Sequence, residues 1–268
     1  MKRREFVGKS LGASLLPLTA QAAAGAAEQA GAGGSRLLEL RAYHLRFGPM
    51  EARFGEYVKG ALIPALNRAG IKPVGAFTVL FGPDNPTLRL LLPHPDAASV
   101  MSLEASLEAD AEYRRAAASF LALSPADPPY VRLESSLMAT FDRLGALDPP
   151  AGPTAVASRV FELRTYESHS EAARRKKMDM FETAGEVPIF RRLAMNPVFF
   201  GRNLAGAPLP SLTYMLVFAD LAAREKNWAA FRDDPEWVKL RSTPGFSNAE
   251  ILTSINVLLL RPAEYSQV

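Results

Sequence analysis

The sequence predicts an α+β fold in which two tandem ferredoxin-like repeats, each ordered βαββαβ, close one barrel within a single chain. Three observations support this prediction: an early segment recurs later, both copies show the same order of strand and helix patterns, and the composition suits a large core. Of the 268 residues, 48% are hydrophobic and 22% are charged, which excludes a disordered or fibrous chain. The chain has no cysteine, so disulfides and a cysteine nucleophile are also excluded.

The first 22 residues have the composition of an export signal. They hold four basic side chains and one acidic one, which equals the formal net charge of +3 of the whole chain. Arg3 and Arg4 precede a large apolar pair, and an apolar stretch leads to Ala20-Gln21-Ala22, which suits a signal peptidase. We predict a bacterial protein exported by the twin-arginine route to the periplasm or the medium, with residues 1–34 as signal and leader. The alternatives are an ordinary basic terminus and a general secretory signal.

The rest of the sequence contains two similar segments, which indicate an internal repeat. The segment Glu39–Tyr43 recurs as Glu162–Tyr166 after 123 positions, and Asp110–Tyr113 recurs as Asp234–Trp237 after 124. A repeat held in one register over such a distance predicts two structural copies of one unit. The predicted segments are a degenerate first repeat over 35–147, a proline-rich linker over 148–157 and a second repeat over 158–268.

The strands follow from short apolar runs rich in β-branched and aromatic residues. In the second repeat the predicted strands cover Val160–Glu167, Val198–Gly201, Leu212–Phe218 and Ile251–Leu260. Because each such sheet would carry one bare face, two copies can bury these faces against each other.

The helices follow from caps and from helical spacing. Ser170 is expected to cap the first helix of the second repeat, and Pro188 to bend or end it. Leu221–Phe231 is expected to form the next helix, and Asp234-Pro235 to start a further turn.

The second repeat resembles the NIPSNAP domain family, and the first fits the same pattern more loosely. The matching stretches are Phe161–Tyr166, Pro188–Arg192, Pro197–Gly201, Leu212–Met215, Trp228–Phe231, Asp233–Trp237 and Leu260–Ser266. The resemblance implies the dimeric α/β-barrel superfold, here closed within one chain. That superfold hosts monooxygenases, isomerases, haem enzymes and binding proteins, so the resemblance does not decide the activity.

Alternation along the first strand of each repeat separates an aliphatic face from a polar one. We expect the aliphatic face to meet the helices and the polar stripe to face the barrel lumen. The expected network comprises Glu39, Arg41, Tyr43, Glu162, Arg164 and Tyr166. Two interpretations stay open: crossed ion pairs that fix the register of the halves, or a polar lumen that binds a ligand.

A ligand pocket is expected between the sheet and the helices of the second repeat, where arginines and large aromatic residues are concentrated. The candidate binding residues are Arg164, Arg191, Phe200, Arg202, Tyr214, Trp228, Phe231 and Trp237, with Arg191 or Arg202 at the mouth. Such a pocket suits an aromatic or acyl molecule with an anionic group, and the alternative is that the aromatic residues are core.

The catalytic candidates are Tyr166, Tyr214 and His169, as groups that transfer protons. The histidines lack the spacing of a metal site, so neither a metal nor a cofactor is expected. The basic run 174–177 is expected to be a solvated helix face.

Three functions follow from these patterns. The first is an exported protein that binds a small apolar or aromatic ligand, a protein partner or a second copy of itself. The second is a cofactor-independent isomerase or monooxygenase, and the third is a purely structural or assembly protein. A nucleic-acid partner is disfavoured because the chain after the signal is neutral, and no window approaches the roughly 18 apolar residues of a membrane span.

Overall fold

The computed structural model describes residues 37–83, 85–145, 147–152 and 156–268. The predicted signal and leader over 1–34, and part of the predicted linker, lie outside these residues. Within the described ranges, no helix has the length and apolar character needed to cross a bilayer.

Eight strands of the described chain form a closed antiparallel barrel. They are β1 Leu37–His44, β2 Gly75–Phe81, β3 Thr87–His94, β4 Arg132–Thr140, β5 Val160–Glu167, β6 Asn196–Ala205, β7 Ser211–Phe218 and β8 Ser254–Pro262. Their order around the barrel is β1-β3-β2-β8-β5-β7-β6-β4, with antiparallel pairing throughout. The predicted α+β class and the closed barrel are therefore confirmed.

Helices connect the strands and cover the outside of the sheet. They are α1 Pro49–Tyr57, α2 Ile63–Arg68, α3 Ala97–Ala109, α4 Ala111–Leu121, α5 Glu171–Glu182, α6 Glu186–Arg192, α7 Leu221–Asp233, α8 Pro235–Arg241 and α9 Asn248–Ile251. A π-helical turn, Val58–Leu62, joins α1 to α2. We call β1–β4 with α1–α4 the first half, and β5–β8 with α5–α9 the second half.

The strand order is the same in both halves, β4-β1-β3-β2 in the first and β8-β5-β7-β6 in the second. The pairs β2–β8 and β4–β6 join the halves and close the barrel.

Side-chain caps fix where the helices of the second half begin. Ser170 accepts a hydrogen bond from the backbone of Ala173, and Asp234 accepts two from the first turn of α8, as the sequence predicts. The prediction that Pro188 bends or ends the first helix is wrong. That helix ends at Glu182, and Pro188 lies in the first turn of α6, where a proline removes no helical hydrogen bond.

The barrel lumen is filled. The buried residues of one apolar cluster come from all eight strands and from none of the helices. Within it, the rings of Phe77 and Phe161 lie 4.8 Å apart between centroids, and both are fully buried. Because eight strands enclose a space just wide enough for side chains, the middle of the lumen is a packed apolar core, and Thr165, Thr213 and Asn203 form hydrogen bonds with one another toward one end.

The faces of β1 and β5 are the reverse of the prediction. Leu40 and Leu163 belong to the filled lumen, whereas Tyr43 and Tyr166 pack against helices. The polar stripe therefore faces outward, toward the helices. A lumen without water would leave these polar groups without hydrogen-bond partners, and this cost decides the orientation.

The interpretation of the stripe as crossed ion pairs between the two halves is wrong for the same reason. Nε of Arg41 lies 2.7 Å from the carboxylate of Glu39, two residues earlier on the same strand. Arg164 pairs in the same way with Glu162. Each carboxylate has an arginine partner, but that partner comes from its own half.

Candidate functional site

Glu162 is the acceptor around which the polar groups of the second half are arranged. Its side chain is fully buried and forms an ion pair with Arg164. One oxygen accepts hydrogen bonds from Nε of Arg224 at 2.7 Å and from Nε1 of Trp228 at 2.8 Å, both on α7. Three donors offset the desolvation of this carboxylate and tie α7 to β5.

Arg164 extends from β5 against the indole ring of Trp228. Its Cζ lies 4.5 Å from the ring centroid, and its Nε donates to the hydroxyl of Tyr166 at 3.1 Å. Burial disfavours the guanidinium cation, but nearby Tyr214, Tyr166 and Glu162 keep the pKa of Arg164 above its ordinary value. Arg164 is therefore a fixed cation held in a defined orientation.

Two tyrosines continue this chain of polar groups. The hydroxyls of Tyr166 and Tyr214 lie 2.8 Å apart. Tyr214 is fully buried in β7, and burial raises its pKa well above the ordinary value, so it remains a neutral phenol.

A buried ion pair joins α5 to α6 at the same place. Nζ of Lys177 lies 2.7 Å from Oε2 of Glu186, and the two side chains are 1% and 2% exposed. The ammonium also lies 4.4 Å from the ring centroid of Phe181 and 5.5 Å from that of Trp237. Burial raises the pKa of Glu186, although the Lys177 charge opposes this shift. The pair is thus an acid and a base in direct hydrogen-bond contact within aromatic surroundings.

These groups meet at a cavity of about 680 Å³, which we call the second-half cavity. Its lining residues are Arg164, Tyr166, Lys177, Glu186, Trp228, Phe231, Arg232, Trp237, Arg241, Ser242, Ser247, Asn248 and Ile255. Four of these side chains are basic and one is acidic. Its volume lies in the range that holds small molecules.

Arg232 and Arg241 contribute two positive charges to the lining of this cavity. Both are exposed, and within the part of the chain that the structure describes neither forms an ion pair or hydrogen bond. Arg192, by contrast, is held by Asp234 at 2.9 Å. A guanidinium offers two parallel donors to a carboxylate or phosphate, so these two arginines can hold an anion.

Part of the predicted site lines this cavity, namely Arg164, Tyr166, Trp228, Phe231 and Trp237. Phe200 and Tyr214 belong to the buried apolar layer between sheet and helices. Arg191, Arg202 and His169 are not among the lining residues. The expected arginines Arg191 and Arg202 are thus replaced at the cavity by Arg232 and Arg241.

Four charged residues of the cavity were not among the predicted binding residues, namely Lys177, Glu186, Arg232 and Arg241. For two of them, the helical spacing in the sequence could have indicated the position. Lys177 lies four residues before Phe181, and Arg232 lies four residues after Trp228. That spacing places both members of each pair on one helix face.

The basic run 174–177 is not a uniformly solvated face, contrary to the prediction. Arg175 and Lys176 are exposed, but Arg174 and Lys177 are buried. The helical period turns positions 174 and 177 toward the core, and the acidic partners Glu171 and Glu186 compensate their charges.

The histidines lie apart from the second-half cavity. In the first half, Nε2 of the buried His94 donates to Glu39 at 3.2 Å, and His44 lies 3.4 Å from Glu134. No cluster of His, Asp or Glu suited to a metal ion occurs in the ranges that the structure describes.

The family model described as NIPSNAP matches this sequence twice, over residues 38–125 and 161–267. Among curated proteins, none matches the sequence.

Solved structures share the fold at low sequence identity. A "putative monooxygenase" from Lactobacillus acidophilus superposes with a TM-score of 0.55 at 9% identity, over 85% of this chain and 94% of the other. A second one, from Fusobacterium nucleatum, has a TM-score of 0.55 at 8% identity, over 84% and 91%. A NIPSNAP-like domain protein from Burkholderia xenovorans has a TM-score of 0.37 at 20% identity, over 42% and 92%. The likeness to the two proteins with TM-scores of 0.55 shows the fold alone.

We predict that Glu162→Gln lowers the free energy of unfolding by about 3 kcal/mol, because it leaves Arg164 and Arg224 without their buried counter-charge. Urea unfolding measures this loss. The emission of Trp228 should change as well, since its indole N–H donates to the same carboxylate.

Glu225→Gln is the matched control. Glu225 contacts the same Arg224 but is 70% exposed, so its loss should change stability by no more than about 0.5 kcal/mol. Equal destabilisation by the two variants would contradict the central role of Glu162.

Proposed function

The chain belongs to the NIPSNAP family, and from this premise we propose that it binds a small aromatic anion in the second-half cavity. One observation carries the proposal: indole and phenol surfaces line the same cavity as two arginines whose side chains have no partner among the described residues. Membership in the family and the shared barrel leave the ligand open, so the proposal rests on the site itself.

The aromatic side chains that line the second-half cavity form a wall that favours an aromatic ligand. Phe231 stacks on Trp237 with centroids 4.5 Å apart, and Trp228 meets Phe231 edge-on at 5.6 Å. Trp228 is also fixed by its hydrogen bond to Glu162. A wall of rings held in place before binding loses little side-chain entropy when a ligand ring packs against it.

The charges that line the second-half cavity favour an anionic ligand. Arg164 is balanced by Glu162, and Lys177 is balanced by Glu186. Arg232 and Arg241 have no counter-charge in the part of the chain that the structure describes, and a ligand carboxylate or phosphate would supply one.

We predict that 3-phenylpropionate binds at least about tenfold more tightly than its neutral amide, 3-phenylpropanamide, because only the acid can pair with Arg232 and Arg241. Tryptophan fluorescence reports this binding directly, since the two tryptophans of the chain both line the cavity. The double variant Arg232→Gln/Arg241→Gln should lose the preference for the acid.

Lys239→Gln is the control, since Lys239 is an exposed cation on α8 that does not line the cavity. The proposal is wrong if acid and amide bind equally, or if Lys239→Gln weakens binding of the acid as much as the double variant does.

A second candidate function is cofactor-independent proton transfer on such a ligand, as in an isomerase or monooxygenase. The observation that favours it is the Lys177–Glu186 pair, which lines the cavity as a hydrogen-bonded acid and base. The raised pKa of Glu186 brings its proton affinity closer to that of an enolisable carbon acid. The neighbouring Tyr166 hydroxyl is a further proton donor.

We predict that the protein accelerates exchange of the benzylic protons of phenylpyruvate for deuterium, with Glu186 removing the proton and the pair returning a deuteron. NMR in deuterium oxide measures the rate. Glu186→Gln should abolish the acceleration but keep binding of the probe. A wild-type rate equal to that of buffer would leave only the binding function.

A structural or assembly role is the third candidate. The filled barrel lumen is compatible with such a role, but the role does not explain the two arginines at the cavity that have no partner within the described ranges. Pairing with a protein partner or a second copy stays compatible with ligand binding.

The shared strand order and the two matches of the family model support a further proposal, that the halves are tandem ferredoxin-like copies forming an intramolecular counterpart of a dimeric α/β barrel. The linker over 148–157 would then join the copies.

We also propose export by the twin-arginine route in a bacterium, on the basis of residues 1–22. Replacing Arg3 and Arg4 by lysine should retain the protein in the cytoplasm, because twin-arginine transport requires the arginine pair. Fractionation of cells that express each form measures this. Unchanged export would indicate a general secretory signal instead.

A further inference from the structure

The first half holds a second cavity, of about 430 Å³, at the place that matches the second-half cavity. We call it the first-half cavity. Arg41 lines it from β1, which lies between β4 and β3 as β5 lies between β8 and β7. Tyr113 is the third residue after Asp110, which caps α4, and Trp237 is the third after Asp234, which caps α8. The two cavities thus use matching positions of strand and helix.

The charge of the lining is reversed between them. Glu104 is the eighth residue of α3 and lines the first-half cavity, where the eighth residue of α7 is Trp228. One turn later, α3 carries Glu108, which lies outside the lining, where α7 carries the lining residue Arg232. Glu104 is exposed and has no ion pair or hydrogen bond within the described ranges.

The remaining charges of the first-half cavity cancel. Arg41 lies 2.7 Å from Glu39, which also accepts hydrogen bonds from His94 and Ser135. Burial opposes the charge on Glu39, but these three donors lower its pKa to about 2, so the carboxylate stays ionised. Among the described residues that line this cavity, Glu104 therefore leaves one acidic charge without a counter-charge.

The wall is built from tyrosine and phenylalanine. Tyr57 stacks on Phe120 at 3.8 Å between centroids, and its hydroxyl lies 2.7 Å from that of Tyr113. Tyr43 meets Tyr130 edge-on at 5.4 Å. Burial raises the pKa of Tyr43 and of Tyr57, so these side chains stay neutral and present π-electron density without a charge.

We propose that the first-half cavity binds a small organic cation that carries a quaternary or alkylated ammonium group. The electron-rich faces of aromatic rings attract such cations, and the carboxylate of Glu104 adds charge complementarity. The protein would then have two sites of opposite charge preference. This proposal does not depend on the aromatic anion proposed for the second half.

Choline and its uncharged isostere 3,3-dimethylbutan-1-ol test the proposal, because they differ only in the charged nitrogen. Isothermal titration with the full chain should give at least tenfold tighter binding of choline. Glu104→Gln should weaken choline binding about three- to fivefold and leave the isostere unaffected. Tryptophan fluorescence should not respond to choline, since both tryptophans lie at the other cavity.

Glu225→Gln, which removes an exposed carboxylate from the second half, is the control and should leave choline binding unchanged. Equal affinity for choline and its isostere, or no binding of choline, would overturn the proposal. A tryptophan response to choline would also overturn it, because it would place the cation in the second half.

Discussion

A closed barrel of eight strands encloses a space just wide enough for side chains, and this constraint places the polar stripes of β1 and β5 on the outer face of the sheet. Side chains from all eight strands fill the interior. A polar stripe such as Glu162, Arg164 and Tyr166 can then be solvated or paired only on the outer face of the sheet, beneath the helices. Glu162, Arg164 and the helix residues that pair with them therefore lie in the layer between sheet and helices, and the barrel supports that layer.

Within that layer, buried charge is tolerated because each group is paired locally. Glu162 receives three donors, and Lys177 and Glu186 neutralise one another. Such pairs add little net stability, since desolvation offsets most of their attraction. They do fix orientation, because breaking any one contact leaves a largely buried charge without its partner. The aromatic walls are consequently held in position before a ligand arrives.

The sequence predicts the elements of this fold better than their orientation. The span of β5 and the caps Ser170 and Asp234 agree with the structure, since strand runs and caps are local signals. The orientation of β5 is not local, because alternation defines two faces without saying which one the barrel encloses. Arg232 illustrates the same limit, since its helical spacing from Trp228 is readable but its lack of a partner depends on the whole fold.

The two halves share the barrel and differ in the helices above it. An arginine and a tyrosine from the first strand stand at the floor of each cavity, as Arg41 and Tyr43 or as Arg164 and Tyr166. The side chains that distinguish the cavities come instead from helices, where a substitution alters the lining without disturbing strand pairing or the filled lumen. A tryptophan on α7 stands where α3 carries a glutamate, and this single position changes both the shape and the charge of the site. A change at this position also alters the polar layer, because Trp228 donates a hydrogen bond to the buried carboxylate of Glu162, whereas the side chain of Glu104 forms no ion pair or hydrogen bond within the described ranges.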